Sequence, residues 1–301
     1  MTTENLLPNK FLTSAGTTVW PAYTEEYLVV GPEVQLFVRR ARPAGPVRAW
    51  VVLVHGLGEH LGRYGHVAEA LLARGFAVVG WDLRGHGRSA GRRGDVADGE
   101  LLVDDLAAVC AHFREEGCPL FICAHSLGAQ ITLRLLERDA GVCRGAVIAS
   151  PWLRLAFHPP WWKLLVARLA MRVWPAFIQE TPLRPERLSR DLAHLASFPD
   201  SGLAHRRISA RMYFALLAGG ERIFAEAGRL RTPMLLLHGD DDPITSHRAT
   251  CDFFERIGSA DKTLRIFPGA RHEMHNDLDR LQELREIGDW IEARLGPETA
   301  V

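Results

Sequence analysis

Residues Ala124 to Gly128 read Ala-His-Ser-Leu-Gly, a serine with a small residue two positions to either side. A serine hydroxyl is a poor nucleophile until a neighbouring base takes its proton. The flanking residues supply a suitable setting. Leu120 to Ala124 reads as a strand and Leu127 to Leu136 as a helix. A tight strand-to-helix turn holds a serine out for attack and crowds the backbone two residues away, so small side chains are needed there. Ser126 is therefore the candidate nucleophile of an acyl-transfer reaction.

In sheets with this turn the orienting acid and the base follow the serine along the chain. Two downstream loops offer them, each just past an expected strand: His238-Gly239-Asp240-Asp241-Asp242-Pro243 and Pro268-Gly269-Ala270-Arg271-His272-Glu273. We assign His272 as base and Asp242 as the carboxylate that orients it. Spacing alone does not separate Asp242 from Asp240 and Asp241, which could equally cap the next helix or solvate the turn. His275 is a rival base, expected instead at a helix start or on the surface. His55, His86 and His125 are expected to pack or to hydrogen-bond. The developing oxyanion needs main-chain donors. Leu127, after the nucleophile, supplies one, and Leu57, in the loop His55-Gly56-Leu57-Gly58, supplies the other.

These residues must be positioned by the elements around them. Glu25 to Val30 and Val34 to Arg40 flank Gly31-Pro32 as an antiparallel hairpin. Ala49 to His55 is a continuous apolar run, as in a strand buried on both faces. A helix over Tyr64 to Ala73, stopped by Gly75, is followed by a strand at Phe76 to Trp81. A helix at Leu101 to Phe113 and a strand at Gly145 to Ala149 continue the alternation. It resumes with a strand at Met234 to Leu237, a helix near Arg248 to Arg256, a strand at Thr263 to Phe267 and a helix from about Asp277 to Leu295. Such alternation predicts an α/β fold, a mostly parallel central sheet with helices on both faces. From Ser150-Pro151 to about Leu230 the pattern is helical, rich in Trp, Arg and Pro, with no clear strand. We expect a core of residues 20–150 and 231–296 and a helical cap of residues 151–230, inserted after the sixth strand over the sheet edge where ligands bind.

Within this cap, Pro160 could start a helix from Trp161 to Trp174. Trp161, Trp162 and Leu165, with further apolar residues, cover most of its surface. The exceptions Lys163, Arg168 and Arg172 fall near one stripe at spacings of five and four. This suits a lid that shields an acyl chain or dips into a lipid surface, with a micelle or membrane as peripheral partner. The alternative is an ordinary buried helix with a solvated basic edge.

The 301 residues are 47% hydrophobic, enough for one large domain or a domain with an insertion. Lys+Arg and Asp+Glu are 36 each, so the zero formal charge gives no reason to expect nucleic acid as partner. Lys10, Lys163 and Lys262 are the only lysines. The five cysteines show no CxxC spacing, which argues against a disulfide framework and a zinc site. No metal or other cofactor is expected. The N-terminus lacks a basic start followed by an apolar run, and no stretch of about 18 apolar residues occurs. A cytosolic protein, at most peripheral to a membrane, is the expectation.

The runs HGLGEHLGRY (His55 to Tyr64) and WDLRGHGRSAGRRGDV (Trp81 to Val96) resemble the monoglyceride lipase and lysophospholipase branch of the α/β-hydrolases. Leu188-Ser189-Arg190-Asp191 and Gly269 to Glu273 match further family signatures. The resemblance runs from about Trp20 to Leu295. It implies the α/β-hydrolase fold, a triad of Ser126, Asp242 and His272, and oxyanion donors at Leu57 and Leu127. It thereby selects Asp242 among the three aspartates. It also places Glu59 and Arg63 near the polar end of the substrate pocket, unless they form a structural ion pair. The sequence departs from the family pattern at Ala124, where Gly is commoner, and at Phe198-Pro199-Asp200-Ser201, where a tyrosine and an Asp-Pro pair are usual. The implied activity is hydrolysis of lipid-like esters such as monoacylglycerols or lysophospholipids. The rivals are a short- to medium-chain carboxylesterase, an acyltransferase, a peptidase or a non-catalytic receptor.

Overall fold

Two antiparallel strands, β1 (Thr24–Val30) and β2 (Val34–Ala41), lead into a parallel sheet. A computed structural model of the chain describes residues 20–31, 34–115, 117–181, 184–198 and 201–296. The N-terminal stretch read above, Pro32 of the hairpin turn and the Pro199-Asp200 pair lie outside the described residues.

The chain continues through β3 (Ala49–Val54), α1 (Gly65–Leu72), β4 (Phe76–Trp81), α2 (Glu100–His112), β5 (Leu120–His125), α3 (Leu127–Arg138) and β6 (Gly145–Ala149). Then come α4 (Trp161–Val173), β7 (Ile178–Glu180), α5 (Pro185–Leu188), α6 (Leu192–Ser197), β8 (Arg207–Ser209) and α7 (Ala210–Glu226). The described chain closes with β9 (Met234–Gly239), α8 (His247–Arg256), β10 (Lys262–Phe267) and α9 (Arg280–Glu292). The large sheet has the order β1-β2-β4-β3-β5-β6-β9-β10, parallel from β4 to β10.

Alternation along β3 explains the two-sided core. Trp50, Val52 and Val54 pack on one face with residues of α2, α3 and α8. Ala49, Val51 and Leu53 pack on the other with residues of α1 and α9. A strand covered on both faces reads as an unbroken apolar run, which is how β3 stands out in the sequence. Parallel order also puts the C-terminal ends of β3, β5, β9 and β10 on one edge, and every candidate catalytic residue follows one of those ends.

The segment between β6 and β9 differs from its expected form in two ways. β7 and β8 pair antiparallel as a short ribbon where no strand was expected, because three residues are too few to show a period. Helix α7 joins the core: Met212, Leu216, Ile223 and Phe224 belong to the same apolar cluster as β3 and α3. The expected insertion of residues 151–230 therefore includes one helix packed as part of the core. No helix of the described residues is long and apolar enough to cross a membrane.

Candidate active site

Ser126 lies between β5 and α3 with φ of 52° and ψ of −111°, a left-handed backbone that L-residues rarely adopt. Such strain persists only where surrounding structure enforces it. Here the Ser126 N–H donates to the Ala149 carbonyl at 3.0 Å, and the Ser126 carbonyl accepts from the N–H groups of Gln130 and Trp152, each at 3.1 Å. Gly128 must be glycine, since a Cβ there would collide with the carbonyl oxygens of Val54 and His55 at the end of β3.

The Ser126 hydroxyl lies 3.0 Å from Nε2 of His272, and Nδ1 of His272 lies 2.7 Å from Oδ2 of Asp242. All three side chains are buried. The two loops that carry the acid and the base are laced together. The N–H groups of Asp240 and Asp241 donate to the carbonyls of Phe267 and Ala270, both at 3.2 Å. Asp242 Oδ1 accepts from the N–H groups of Ile244 (2.7 Å) and Thr245 (3.0 Å). Its Oδ2 also receives the Thr245 hydroxyl at 2.7 Å and lies 3.1 Å from His238 Nε2. Burial opposes the charged form, yet the His272 and His238 rings hold the Asp242 carboxyl well below the usual carboxylate range. The carboxylate is thus held in its ionised form beside His272 Nδ1, an arrangement in which Nε2 would be free to take a serine proton.

The loop after β3 lies against the nucleophile. A Cβ on Gly56 would stand 3.2 Å from the Ser126 Cβ. Leu57 is the next residue of this loop and Leu127 opens α3, so both expected oxyanion donors belong to segments that adjoin Ser126. Glu59 shapes the loop. Its Oε1 accepts the Gly56 N–H at 3.1 Å and lies 2.9 Å from His125 Nδ1, and its Oε2 accepts the Tyr64 hydroxyl at 3.1 Å. Arg63 is 3.6 Å from Glu59 and makes a two-pronged bond to Glu273 at 2.9 and 2.6 Å. Both charged residues are thus engaged with protein partners, the arrangement of a structural ion pair.

Other expectations fare differently. His275, expected at a helix start or on the surface, is buried in a short 3₁₀ turn and stacks on Tyr64 at 4.7 Å. Burial among other aromatic rings, invisible to a surface assignment based on position, explains the difference. His55 accepts the Leu83 N–H at Nε2, 2.9 Å away. Trp161, Trp162 and Leu165 turn to solvent, at 76%, 52% and 50% exposure, and no residue of α4 is fully buried. The buried-helix alternative does not hold. A spacing of five turns a helix by about 140°, so Lys163 lies apart from the edge shared by Arg168 and Arg172 and the three basic residues do not form one stripe.

Two residues that the motifs did not single out, His238 and Thr245, complete the shell of Asp242. The i, i+4 spacing of His238 to Asp242 at a strand end was the available signal. Among the described residues, Glu59, His125 and His275 bring possible ligand atoms within 4.8 Å of one another. Glu59 and His125 already spend theirs on each other, on Gly56, on Tyr64 and on the His272 carbonyl.

Comparison with known proteins gives a consistent picture. The family described as serine aminopeptidase, S33, matches residues 45–279. The monoacylglycerol lipase of Mycolicibacterium smegmatis is 31% identical over 255 residues, covering 82% of this chain and 89% of that protein. An abhydrolase domain-containing protein of Dictyostelium discoideum is 32% identical over 270 residues, and there the match takes up 89% of this chain but 29% of the longer protein. In the crystal structure of Paleococcus ferrophilus monoacylglycerol lipase, the shared fold covers 85% of this chain and 99% of that one. The TM-score is 0.77 at 34% identity.

Proposed function

Because the chain belongs to the serine aminopeptidase S33 family and is an α/β-fold serine hydrolase of carboxylic esters, we propose that it cleaves monoacylglycerols or lysophospholipids through an acyl-enzyme on Ser126. The observation that carries this reading is the unbroken chain from Asp242 through His272 to Ser126, at 2.7 and 3.0 Å, on a strained strand-to-helix turn.

The proposed steps use these residues as follows. His272 Nε2 takes the Ser126 proton as Oγ bonds to the ester carbonyl carbon. The oxyanion that forms is met by the N–H groups of Leu57 and Leu127. His272 then gives its proton to the departing alcohol, and the acyl group stays on Ser126. Water, deprotonated by the same imidazole, attacks the acyl carbon; the fatty acid leaves and the serine proton is restored. Asp242 stabilises the imidazolium in both halves. Glu59 and Arg63 act by shaping the loop after β3.

The family description raises a peptidase reading. An aminopeptidase needs a free carboxylate to hold the substrate's α-ammonium. Glu59 and Glu273, the buried acids beside the site, are already paired with His125 and Arg63. Ester substrates carry no such ammonium and need no free carboxylate.

The outer face of α4 supports a lipid-like substrate. Trp161, Leu165, Leu169, Trp162, Val173 and Val166 occupy one arc of about 140°, all exposed. Such a face suits contact with a micelle or membrane surface, from which the substrate enters. Turnover of monoacylglycerols, lysophospholipids and nitrophenyl esters of graded length tests the reading. kcat/KM should rise from two-carbon to eight- or ten-carbon acyl chains, since each buried methylene contributes up to about 0.8 kcal/mol. Preference for acetate esters would replace the lipid substrate by a short-chain one.

A further inference from the structure

His125 precedes the nucleophile and has no part in the steps above, yet both of its ring nitrogens face oxygens. Nδ1 lies 2.9 Å from Glu59 Oε1 and Nε2 lies 3.1 Å from the main-chain carbonyl of His272. Neither oxygen has a proton to give. One is a carbonyl. The other belongs to a carboxyl whose ionisation burial opposes, but which His125 and Arg63 hold well below its ordinary pKa. A neutral imidazole has one N–H and one lone pair, so either neutral tautomer would set a lone pair against an oxygen. The doubly protonated ring alone satisfies both contacts.

We propose that His125 is a positioning residue, held as an imidazolium by Glu59, that anchors the main chain of His272 and the oxyanion loop to a single point beside Ser126. The inference rests on the triad reading given above. The anchor is compact. Glu59 Oε1 takes the His125 Nδ1–H and the Gly56 N–H together, so one oxygen ties the loop bearing Leu57 to the ring. The opposite side of that ring grips the backbone of the base. Base, nucleophile and oxyanion donors thereby share a reference, and angstrom-scale misplacement of such groups is costly in rate.

The surroundings favour the charged ring. Burial opposes it, but the charge of Glu59 and its hydrogen bond, with Glu273 behind, raise the His125 pKa above its ordinary value. The neighbouring rings are His272 at 4.8 Å and His275 at 4.9 Å, with His55 nearby. Burial pushes the pKa values of His275 and His55 down, so neither places a competing charge against His125 at neutral pH.

The test has two arms. In ¹⁵N-histidine-labelled wild-type protein at pH 7, both His125 ring nitrogens should show imidazolium shifts, assigned through contacts of the ring to Gly56 and Ser126. In His125→Asn, kcat on a nitrophenyl ester should fall about 10- to 100-fold with KM within twofold, while a fluorophosphonate still labels Ser126. A neutral ring in the wild type, or an Asn variant with kcat within twofold of wild type, overturns the proposal. If the variant does not fold, the ring signal decides alone. That signal does not depend on ester turnover, so failure here is separable from failure of the triad reading.

Discussion

Oδ2 of Asp242 lies 2.7 Å from Nδ1 of His272, although Asp240 and Asp241 precede it in the same loop. The preceding pair face elsewhere. Asp240 accepts the Gly269 N–H at 2.6 Å, and Asp241 is exposed at 3.7 Å from Arg271. Three adjacent carboxylates thus have separate surroundings: one faces the His272 imidazole, one ties the two loops, and one is exposed.

This division predicts the outcome of three single substitutions. Asp242→Asn should lower kcat/KM by about 10⁴-fold, the cost typical of a lost orienting carboxylate. Asp240→Asn and Asp241→Asn should each stay within about tenfold of wild type, because neither touches His272. Ester kinetics with the three variants check this, and a severe loss confined to Asp240 or Asp241 would reassign the acid.

A second prediction concerns Glu283 on α9. Burial pushes its carboxyl up to about 8, against an opposing pull from His125 and with Asp277 adding to the rise. Its Oε2 has no hydrogen-bond partner. Above its ordinary value near 4.5 the unfolded chain loses this proton while the folded chain keeps it. The group therefore destabilises the fold increasingly as pH rises to about 8, by up to about 1.4 kcal/mol per unit. Glu283→Gln removes the ionisable group, so its Tm relative to wild type should improve between pH 5 and pH 8. Thermal denaturation at the two pH values checks it; an unchanged difference would mean that Glu283 does not titrate as described.

The exposed face of α4 yields a third. Replacing Trp161, Trp162 and Leu165 together by Ser should lower turnover of micellar or vesicle-borne monoacylglycerol severalfold. Hydrolysis of a water-soluble short ester should remain near wild type, because these side chains point away from the protein. Equal losses on both substrates would place them in the catalytic path instead of at a lipid surface.

What the sequence made legible follows from how locally each feature is encoded. β3 and β5 are unbroken apolar runs, and Ser126 sits between small residues, so the sheet and the nucleophile are readable from neighbours alone. The choice among Asp240, Asp241 and Asp242 is not readable from spacing, because all three follow β9; the family resemblance singled out Asp242, and the loop's hydrogen bonds show what separates the three. The outward turn of Trp161 was hidden because α4 is apolar around most of its surface. The burial of His275 was hidden because it depends on Tyr64 and His125, distant in sequence. The small ribbon of β7 and β8 was too short to show a period.

The most direct test of the account is whether Ser126 carries the acyl group. Intact-protein and peptide mass spectrometry after fluorophosphonate treatment should find one adduct, on Ser126. Ser126→Ala should take no label and should lose on the order of a millionfold in kcat. An adduct on another residue, or a Ser126→Ala protein that hydrolyses esters within tenfold of wild type, would contradict the mechanism.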